Sequence, residues 1–227
     1  MKIFRYKKLS STQDRAKSLK RIAEDTAIIA ETQSKGKGTK GRSFSSLKGG
    51  VYLSYIKLYP CKAKEAFTIM MSSALAVVRT LKAFGVEAKI KWPNDIYVSG
   101  KKICGILIEN ELIGEDIKKS VIGIGINVNS EIPTELRSIA ISMKEVLNEE
   151  SDINSVTATL LYNLTLDYTI EEYKNCNLIL GKTVEVIKES GSYFAVAKDI
   201  TESGELILES GEVLSSAEIS IKLGQSH

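Results

Sequence analysis

A cluster of glycines and cations occupies residues 35–42, where the sequence is Lys-Gly-Lys-Gly-Thr-Lys-Gly-Arg. Glycine lets a loop bend and lets backbone N–H groups approach a ligand closely. The four cations of this cluster give it a positive field, and no acid occurs between Thr32 and Lys64 to neutralise it. The pattern indicates a clamp for an anion, most simply a phosphate. A solvated flexible hairpin is the alternative on composition alone.

The same segment comes close to a phosphate-binding P-loop, because residues 36–43 nearly match G-x-x-x-x-G-K-[ST] with Arg42 in place of the lysine. A P-loop must open a helix whose N-terminus cradles the phosphates. Here a run of serines, two further glycines and then an apolar strand follow. The context therefore excludes a P-loop and leaves an anion clamp of another kind.

A second cluster, Lys-Trp-Pro-Asn-Asp at residues 91–95, contains the single tryptophan and one of the three prolines. Pro-Asn-Asp is favourable turn chemistry, so a plain turn is one explanation. The cluster also lies between two predicted strands, which would bring Lys91, Asn94 and Asp95 close to one point. A carboxylate at a strand edge can hold Mg²⁺ directly or through water. A phosphate clamp with a nearby acid is the minimum arrangement for Mg-nucleotide chemistry.

Two further segments carry polar groups on otherwise apolar strands. Lys102 begins an apolar run, and it either reaches solvent or holds a positive charge beside a reacting carboxylate or phosphate. Gly123 and Gly125 interrupt a later strand, which often marks the close approach of a ligand or another backbone. Asn127, at the end of that strand, can hydrogen-bond a base, a ribose or a phosphate. The segment lacks the context of a dinucleotide signature.

These groups must be positioned by elements that the apolar spacing predicts. Strands are predicted at Ile3–Tyr6, Ala27–Ala30, Val51–Leu58, Ala88–Lys91, Ile96–Val98, Lys102–Glu109 and Ser120–Val128. Helices are predicted from a hydroxyl cap at Ser11 through Ile22, over Ala63–Phe84, over Ser142–Leu147 and over Val156–Tyr173. The Ser99–Gly100 pair predicts a hairpin turn.

From Gly181 onward the pattern changes to short strands divided by turns at Gly191, Gly204 and Gly211. The predicted strands are Thr183–Ile187, Phe194–Asp199, Glu205–Leu208 and Ala217–Leu223. This spacing is typical of a small β-barrel. The predicted fold class is therefore α+β, a mixed β-sheet with flanking helices plus a small C-terminal β-barrel. The predicted domains are residues 1–178 and 179–227.

The composition is that of an ordinary globular protein: 227 residues, 43% hydrophobic, 26% charged and a net charge of +3. Three widely spaced cysteines, Cys61, Cys104 and Cys176, favour neither a disulfide framework nor a zinc site. The only histidine is His227, which excludes a catalytic triad or metal site that needs a well-placed imidazole. With neither a signal-peptide pattern nor an uninterrupted apolar span, we expect a cytoplasmic protein without membrane contact.

Taken in order, these clusters resemble the motifs of the biotin protein ligases, also called biotin–[acetyl-CoA-carboxylase] ligases. That family has an E-x-Q-x-x-G-R-G-R-x-G-R-x-W loop, a K-W-P-N-D turn, a K-x-x-G-I-L-x-E strand and a G-x-G-I-N segment. The corresponding segments here are Glu31–Phe44, Lys91–Asp95, Lys102–Glu109 and Gly123–Asn127. Ser11–Gln13 resembles the family's S-T-N, and the resemblance covers roughly residues 3–223. The turn followed by the strand is the specific part.

The resemblance implies a class II synthetase-like catalytic fold with a small C-terminal β-barrel. It also implies that biotin and MgATP give biotinyl-5′-AMP and pyrophosphate, and that the biotinyl group then passes to a lysine of the biotin carboxyl carrier protein of acetyl-CoA carboxylase. Some bacterial members carry an N-terminal winged helix-turn-helix. This chain enters the catalytic pattern within about ten residues, so we expect a ligase without DNA binding. Members can pair edge strands into a homodimer, and the oligomeric state of this chain stays open.

The resemblance also implies roles for individual residues. Lys102, Arg42 and Lys37 would be catalytic, and Asp95 would hold Mg²⁺. The residues implied for biotin are Ser11, Thr12, Gln33, Gly36, Lys37, Lys102 and Gly105. The residues implied for the nucleotide are Lys37, Thr39, Lys40, Arg42, Phe44, Lys91, Asn94 and Asn127.

Four positions depart from the family pattern. Lys37 and Thr39 replace arginines, and lysine cannot form the bidentate fork of a guanidinium. The grip on the adenylate is therefore weaker, unless Lys40 compensates. Phe44 replaces a tryptophan and keeps a stacking or packing role. Gln13 replaces an asparagine, which is a mild change.

Two other functions remain open on the sequence. Lipoate and octanoate ligases share the catalytic fold, although the Lys91–Asp95 turn and the strand after it favour biotin. A nucleic-acid-binding module could be built on the basic run Lys35–Lys64. That run lacks a helix rich in lysine and arginine and lacks an aromatic RNA-binding strand, so the ligase is the preferred prediction.

Overall fold

The structure, a computed structural model, describes residues 1–58, 61–216 and 220–223. The larger of its two sheets has eight strands among these residues. They are β1 (Lys2–Leu9), β2 (Thr26–Gln33), β3 (Val51–Lys57), β4 (Cys61–Lys62), β5 (Lys89–Lys91), β6 (Asp95–Val98), β7 (Lys101–Ile113) and β8 (Asp116–Ile126). The order is β1-β2-β3-β8-β7-β6-β5, with β4 beside β8. Only β1 and β2 run parallel, so the sheet is mixed, as predicted.

Each central strand presents one apolar face and one face that carries the site. Successive side chains of a strand point to opposite faces. On β8, Ile122, Ile124 and Ile126 therefore belong to the main core, whereas Gly123 and Gly125 face the opposite side. The predicted turn at Ser99–Gly100 joins β6 to β7, and both of its residues have the positive φ that such a turn requires.

Five helices flank the sheet in the described chain. They are α1 (Thr12–Lys17), α2 (Ala66–Ala83), α3 (Met143–Leu147), α4 (Ile153–Asn163) and α5 (Ile170–Asn175). The Ser11 hydroxyl caps α1 by accepting a hydrogen bond from the Asp14 amide at 3.2 Å, as the sequence predicts. The predicted extension of α1 to Ile22 is wrong, because the helix ends at Lys17.

The long helix predicted over Val156–Tyr173 is also wrong. The structure breaks it into α4 and α5, and Thr169 caps α5 in a capping box with Glu172. That box fixes the start of a new helix, since each partner satisfies a backbone N–H of the other. The helical segment Ala63–Ala83 is long and apolar enough to span a membrane, but 56% of its apolar window is buried inside the protein. It behaves as a core helix.

The smaller sheet consists of β9 (Thr183–Lys188), β10 (Gly191–Ile200), β11 (Leu206–Leu208), β12 (Val213–Leu214) and β13 (Ser220–Leu223). Its order is β12-β11-β10-β9-β13, and all its pairs are antiparallel. Within the described ranges these strands form an open sheet, not a closed barrel. Residues 217–219 of the last predicted strand lie outside the described residues, as does His227.

The two sheets share one hydrophobic core. A single cluster of buried side chains includes Ile124 of β8 together with Val186 of β9 and Leu208 of β11. The buried indole of Trp92 donates a hydrogen bond to the Gly204 carbonyl at 3.0 Å. The smaller sheet therefore packs against the segment that carries the Lys-Trp-Pro-Asn-Asp turn.

Candidate active site

The floor of the site is a patch of glycines on β7 and β8. Gly105 pairs directly with Gly125, and Gly123 lies on the same face of β8. A Cβ atom at Gly125 would come within 2.5 Å of the Phe44 ring. One at Gly123 would come within 2.7 Å of the Gln13 side-chain oxygen. These glycines therefore leave the space that side chains from other elements occupy, as the predicted close approach required.

Two adjoining cavities open on this floor. The inner one is narrow, with a volume of about 40 Å³, and the outer one has a volume of about 580 Å³. The residues that line both are Gly38, Thr39, Phe44, Asp95 and Lys102. The two cavities therefore meet at a wall that combines an aromatic ring, a carboxylate and a cation.

The inner cavity is walled by hydrogen-bonded polar side chains. The Gln33 carbonyl oxygen accepts from the Thr12 amide at 2.7 Å and from the Thr12 hydroxyl at 3.0 Å. The Gln33 amide nitrogen donates to the Ser46 hydroxyl at 2.8 Å. The buried Ser54 hydroxyl lies 2.9 Å from the Thr12 hydroxyl. These contacts join α1, β2 and β3 into one rigid wall, so the donors and acceptors around the cavity have fixed positions.

Lys102 and Asp95 form an ion pair where the two cavities meet. Lys102 Nζ lies 2.6 Å from Asp95 Oδ1, and both side chains are partly exposed. Asp95 pairs with Gly105 across β6 and β7, and a Cβ atom at Gly105 would come within 3.1 Å of Lys102 Nζ. The glycine thus lets the ammonium group lie over the strand. The neighbouring Asn94 amide donates to the Ile106 carbonyl at 2.8 Å, which fixes the turn.

The lining of the outer cavity includes cations and aromatic rings. Lys91 Nζ lies 5.1 Å from the centre of the Tyr97 ring, and burial raises the pKa of Tyr97, so this ring is neutral at physiological pH. Asn127 donates its side-chain amide to the Ile141 carbonyl at 3.2 Å. The lining also includes the exposed apolar side chains of Leu47 and Ile139 and the carboxylate of Glu131. A cavity with apolar walls and a few cations suits a planar base attached to phosphates.

The glycine and lysine loop is a hairpin over the inner cavity. Lys37 and Ser43 form a β-bridge, and Lys40 at the tip adopts a left-handed conformation with φ 54°. Lys37 Nζ lies 2.5 Å from Asp14 Oδ1 of α1. The hydrogen bond with Asp14 raises the pKa of Lys37, so this lysine is cationic at neutral pH. The segment is thus a hairpin, and its role as an anion clamp stays a prediction.

Most of the predicted site residues come together on these two cavities. The inner cavity is lined by Ser11, Thr12, Gln33, Lys37, Thr39, Phe44, Asn94, Asp95, Lys102 and Gly105. The outer cavity is lined by Thr39, Arg42, Phe44, Lys91, Asp95, Lys102 and Asn127. Gly36 and Lys40 line neither. Gly36 is packed behind the wall, where a Cβ atom would meet the Phe44 carbonyl at 2.4 Å, and Lys40 is exposed at the hairpin tip.

The structure adds wall residues that the sequence analysis did not assign to the site. Gln13 and Ser54 line the inner cavity, and Tyr97 lines the outer one. Ser54 is a polar residue in the middle of an apolar strand, and this was the available signal. Gln13 belongs to the same Ser-Thr-Gln segment as two predicted residues, but its orientation depends on β7 and β8.

A divalent cation would find one carboxylate where the two cavities meet, that of Asp95, and Glu131 also lines the outer cavity. No group of three potential metal-ligating side chains occurs in the parts of the chain that the structure describes, so a metal cage made only of protein is not among them. Asp95 uses Oδ1 toward Lys102, which leaves Oδ2 for a further ligand. Mg²⁺ is commonly held by one or two carboxylates together with substrate phosphates and water. This donor set therefore fits a magnesium ion that arrives with a nucleotide.

Two family models match the chain. The model of the Biotin/lipoate A/B protein ligase family matches residues 6–127, which include the loop, the turn and both strands of the glycine floor. The chain belongs to this ligase family. The model of the Biotin protein ligase C terminal domain matches residues 179–222, the segment of the smaller sheet.

Curated relatives within the ligase family match most of the chain. The bifunctional ligase/repressor BirA of Bacillus subtilis is 32% identical over 221 residues, which is 90% of this chain and 68% of that protein. The biotin--[acetyl-CoA-carboxylase] ligase of Mycobacterium tuberculosis is 26% identical over 206 residues, 83% of this chain and 74% of that protein. The similarity thus extends across both sheets.

A solved structure of the family matches the whole fold. The biotin protein ligase from Aquifex aeolicus, in complex with biotin and ATP, superposes with a TM-score of 0.84 and 27% identity. The match covers 98% of this chain and 99% of that one. The mixed sheet with flanking helices followed by a smaller antiparallel sheet is therefore the biotin protein ligase fold.

Proposed function

We propose that the protein is an ATP-dependent biotin–protein ligase. It joins biotin to ATP to give biotinyl-5′-AMP and pyrophosphate, and then transfers the biotinyl group to a lysine of a biotin carboxyl carrier protein. Family membership supports the ligase class, and the Aquifex aeolicus structure with biotin and ATP supports the two ligands. The carrier of acetyl-CoA carboxylase is the acceptor that the name of the Mycobacterium tuberculosis relative suggests.

One observation carries the proposal: the Lys102–Asp95 pair stands where two chemically different cavities meet. The inner cavity is narrow and hydrogen-bonding, which suits a small polar ring. The outer cavity is wide and is lined by both apolar side chains and cations, which suits a nucleotide. An enzyme that joins a carboxylate to the α-phosphate of ATP needs both sites to meet at a cation.

In the first half-reaction, the biotin carboxylate attacks the α-phosphorus, a phosphorus–oxygen bond forms, and pyrophosphate leaves with the electron pair of the broken bond. Two anions must approach each other, so positive charge must be placed where negative charge develops. Lys102 is held there by Asp95 and the glycine floor, while Lys37 of the loop lines the inner cavity and Arg42 of the loop lines the outer one. No general base is required, because a carboxylate is already ionised at pH 7.

In the second half-reaction, the acceptor lysine attacks the acyl carbon and AMP leaves as the amide forms. The attacking amine must lose one proton. Asp95 is the nearest carboxylate that lines both cavities, and we assign it that role. The hairpin lies over the inner cavity and would exclude water from the mixed anhydride.

A magnesium ion bound with ATP would neutralise charge on the phosphates. Asp95 Oδ2 is the protein group that would hold it, with water and phosphate oxygens completing the coordination. The assignments of biotin to the inner cavity and nucleotide to the outer one belong to the same proposal. So do the division into residues 1–178 and 179–227 and a cytoplasmic location, where ATP is available and the three free cysteines stay reduced.

The test is pyrophosphate release with biotin and MgATP, measured for the wild type, Lys102→Ala and Lys101→Ala. Lys101 is the adjacent lysine on β7 and lines neither cavity. We expect Lys102→Ala to lower pyrophosphate release by about 10³-fold while its melting temperature is retained, and Lys101→Ala to match the wild type. Wild-type turnover by Lys102→Ala would overturn the assignment.

A second experiment tests the alternative that the protein is a lipoate or octanoate ligase, because lipoate ligases belong to the same family model. Calorimetric titration with biotin, with and without MgATP, is compared with titration by lipoate. Binding of lipoate without binding of biotin would move the chain to the lipoate branch. Incorporation of biotin into a carrier protein, detected by its mass increase, completes the test of the second half-reaction.

A further inference from the structure

Glu109, the last residue of the Lys102–Glu109 motif, has no part in the mechanism above. It lies on the site face of β7, two strand repeats beyond Gly105, with its carboxylate directed toward α1. Oε1 accepts from Lys17 Nζ at 2.6 Å, and Oε2 accepts from Gln13 Nε2 at 2.9 Å. The carboxylate therefore contacts a wall residue of the inner cavity but does not itself line it.

Glu109 and the Val121 carbonyl together determine which way the Gln13 amide faces. Gln13 Nε2 donates to Glu109 Oε2 and also to the Val121 carbonyl at 3.0 Å. If the amide were reversed, its oxygen would face two acceptors and both contacts would become repulsive. Only one orientation is therefore favourable. It directs Gln13 Oε1 over Gly123 and to within 3.0 Å of the Ser54 hydroxyl.

This orientation makes the deep end of the inner cavity rich in acceptors. Both amide hydrogens of Gln13 are used by Glu109 and Val121, and the Thr12 hydroxyl donates to Gln33. The single hydrogen of Ser54 is used on Thr12 or Gln13. The unused hydrogen-bonding capacity of Gln13 Oε1 and Ser54 Oγ therefore consists of lone pairs. These atoms can accept further hydrogen bonds but cannot donate them.

We propose that Glu109 is a positioning residue that fixes the hydrogen-bond polarity of the inner cavity, so that the cavity selects a ligand ring bearing N–H groups. The inference rests on the proposed function, in which the ring is the ureido ring of biotin with its two N–H donors. A lipoyl dithiolane or an octanoyl chain carries no such donor. A site built to hydrogen-bond a ligand discriminates strongly against an analogue that lacks the group, because the polar atoms of the site are then left unpaired.

Glu109 must be ionised for this role. The charged groups that face it are Lys17 of α1 and Lys37 of the loop, with Asp14 bound to Lys37. Burial raises the pKa of Glu109, but the hydrogen bonds from Lys17 and Gln13 outweigh this, so the pKa lies below its ordinary value. Protonation would turn one carboxylate oxygen from an acceptor into a donor, and only the Val121 carbonyl would then oppose reversal of the Gln13 amide.

The experiment compares Glu109→Gln with Glu111→Gln by calorimetric titration with biotin and with lipoate. Glu111 is the matched control, because it lies on β7 like Glu109 and lines neither cavity. Its carboxylate pairs with Lys119 of β8 at 2.8 Å. Glu109→Gln replaces one of the two obligate acceptors that orient the Gln13 amide, so that only the Val121 carbonyl still opposes its reversal. We expect it to weaken biotin binding about tenfold and to leave lipoate binding unchanged. Pyrophosphate release at saturating biotin should stay within about twofold of the wild type, because Glu109 touches no reacting atom.

The outcomes separate the two proposals. If the wild type does not bind biotin, the proposed function and this inference both fall. If the wild type binds biotin and Glu109→Gln binds it equally well, only the role of Glu109 is overturned. Should Glu109→Gln fail to fold, Glu109→Asp decides the matter, because its shorter side chain withdraws the carboxylate from Gln13 Nε2. Biotin affinity must then fall relative to the wild type and Glu111→Gln, and an unchanged affinity would contradict the proposal.

Discussion

The site is built from two glycine-rich regions that use glycine for opposite reasons. In the floor, Gly105, Gly123 and Gly125 lie in fully paired strands and leave room for side chains that press against them. In the hairpin, Gly41 has a positive φ of 72°, and a Cβ there would meet nothing within 4 Å. The floor requires glycine because a Cβ atom would collide with neighbouring side chains. The loop requires glycine because of its positive φ. The same residue type therefore predicts different sensitivities in the two regions.

The largest contrast is expected between the cations of the two regions. Lys102 is held at the floor by Asp95, whereas Lys37 is held on the loop by an exposed acid of α1. We expect Lys102→Ala to lower the rate of biotinyl-5′-AMP formation by about 10³-fold and Lys37→Ala to lower it by about tenfold. Single-turnover pyrophosphate release measures both. Equal losses in the two variants would contradict the distinction between floor and loop.

Gly125→Ala tests the floor by volume alone. The added Cβ would come within 2.5 Å of the Phe44 ring, so the ring must move away from the wall that the two cavities share. Displacement of a positioning group by about 1 Å can cost about 10²-fold in rate. We expect a loss of that size in biotin-dependent pyrophosphate release. Gly125→Ala combined with Phe44→Ala should recover part of it, and the absence of any recovery would show that the clash is not the cause.

Tyr52→Phe tests the connection between the two regions. The Tyr52 hydroxyl donates to the Leu47 carbonyl at 2.5 Å, and the Tyr52 ring meets the Phe44 ring edge-on at 6.4 Å between centres. Loss of the hydroxyl leaves a carbonyl without its partner, so unfolding free energy should fall by about 1–2 kcal/mol. Denaturant titration measures this change.

The same residue gives a pH dependence of known sign. Burial raises the pKa of Tyr52 to about 12, above its unfolded value of about 10. Its contribution to stability is thus fully present below about pH 10 and is lost as the pH rises toward 12. Tyr52→Phe should remove that part of the alkaline loss of stability. An unchanged alkaline profile would mean that other phenols are responsible.

Gly41→Ala should have the smallest effect. The backbone conformation is unfavourable for alanine by about 1 kcal/mol, but the added methyl group meets nothing within 4 Å. Pyrophosphate release should stay within about twofold of the wild type, since the hairpin is held by Gly38 and Phe44 backbone bonds on either side of the tip. A loss as large as that of Gly125→Ala would mean that the tip itself contacts substrate.

The apolar periodicity predicts most of the fold. Alternating β-branched residues give β3 and β8, and helical spacing gives α2. The sequence also contained the signal for the break between α4 and α5, since Thr169 and Glu172 have capping-box spacing. The apolar residues on either side of Thr169 continue the helical spacing, and they therefore conceal the break in the sequence pattern. Strand β12 has only two residues, too few to show a period.

The site is less accessible to sequence analysis than the fold. Residues within one motif, such as Asp95 and Lys102, are brought together by the hairpin that joins β6 and β7, so short-range reasoning finds them. Gln13 and Glu109 are 96 positions apart, and their contact depends on the register of β7 against β8 and on the packing of α1. Register is set by the whole sheet, so the local sequence reveals neither the contact between Gln13 and Glu109 nor the role of either residue.

The hydrogen bond between Trp92 and Gly204 has a consequence for dissecting the protein. Trp92 lies three positions before Asp95. The contact with Gly204 therefore stabilises the turn that carries the Asp95 carboxylate. A polypeptide ending near residue 178 would keep the walls of both cavities. It would nevertheless leave a buried indole N–H without its acceptor and strip the cover from Phe67, whose ring lies against Gly204. The shortest competent fragment of this chain is therefore longer than the list of its site residues suggests.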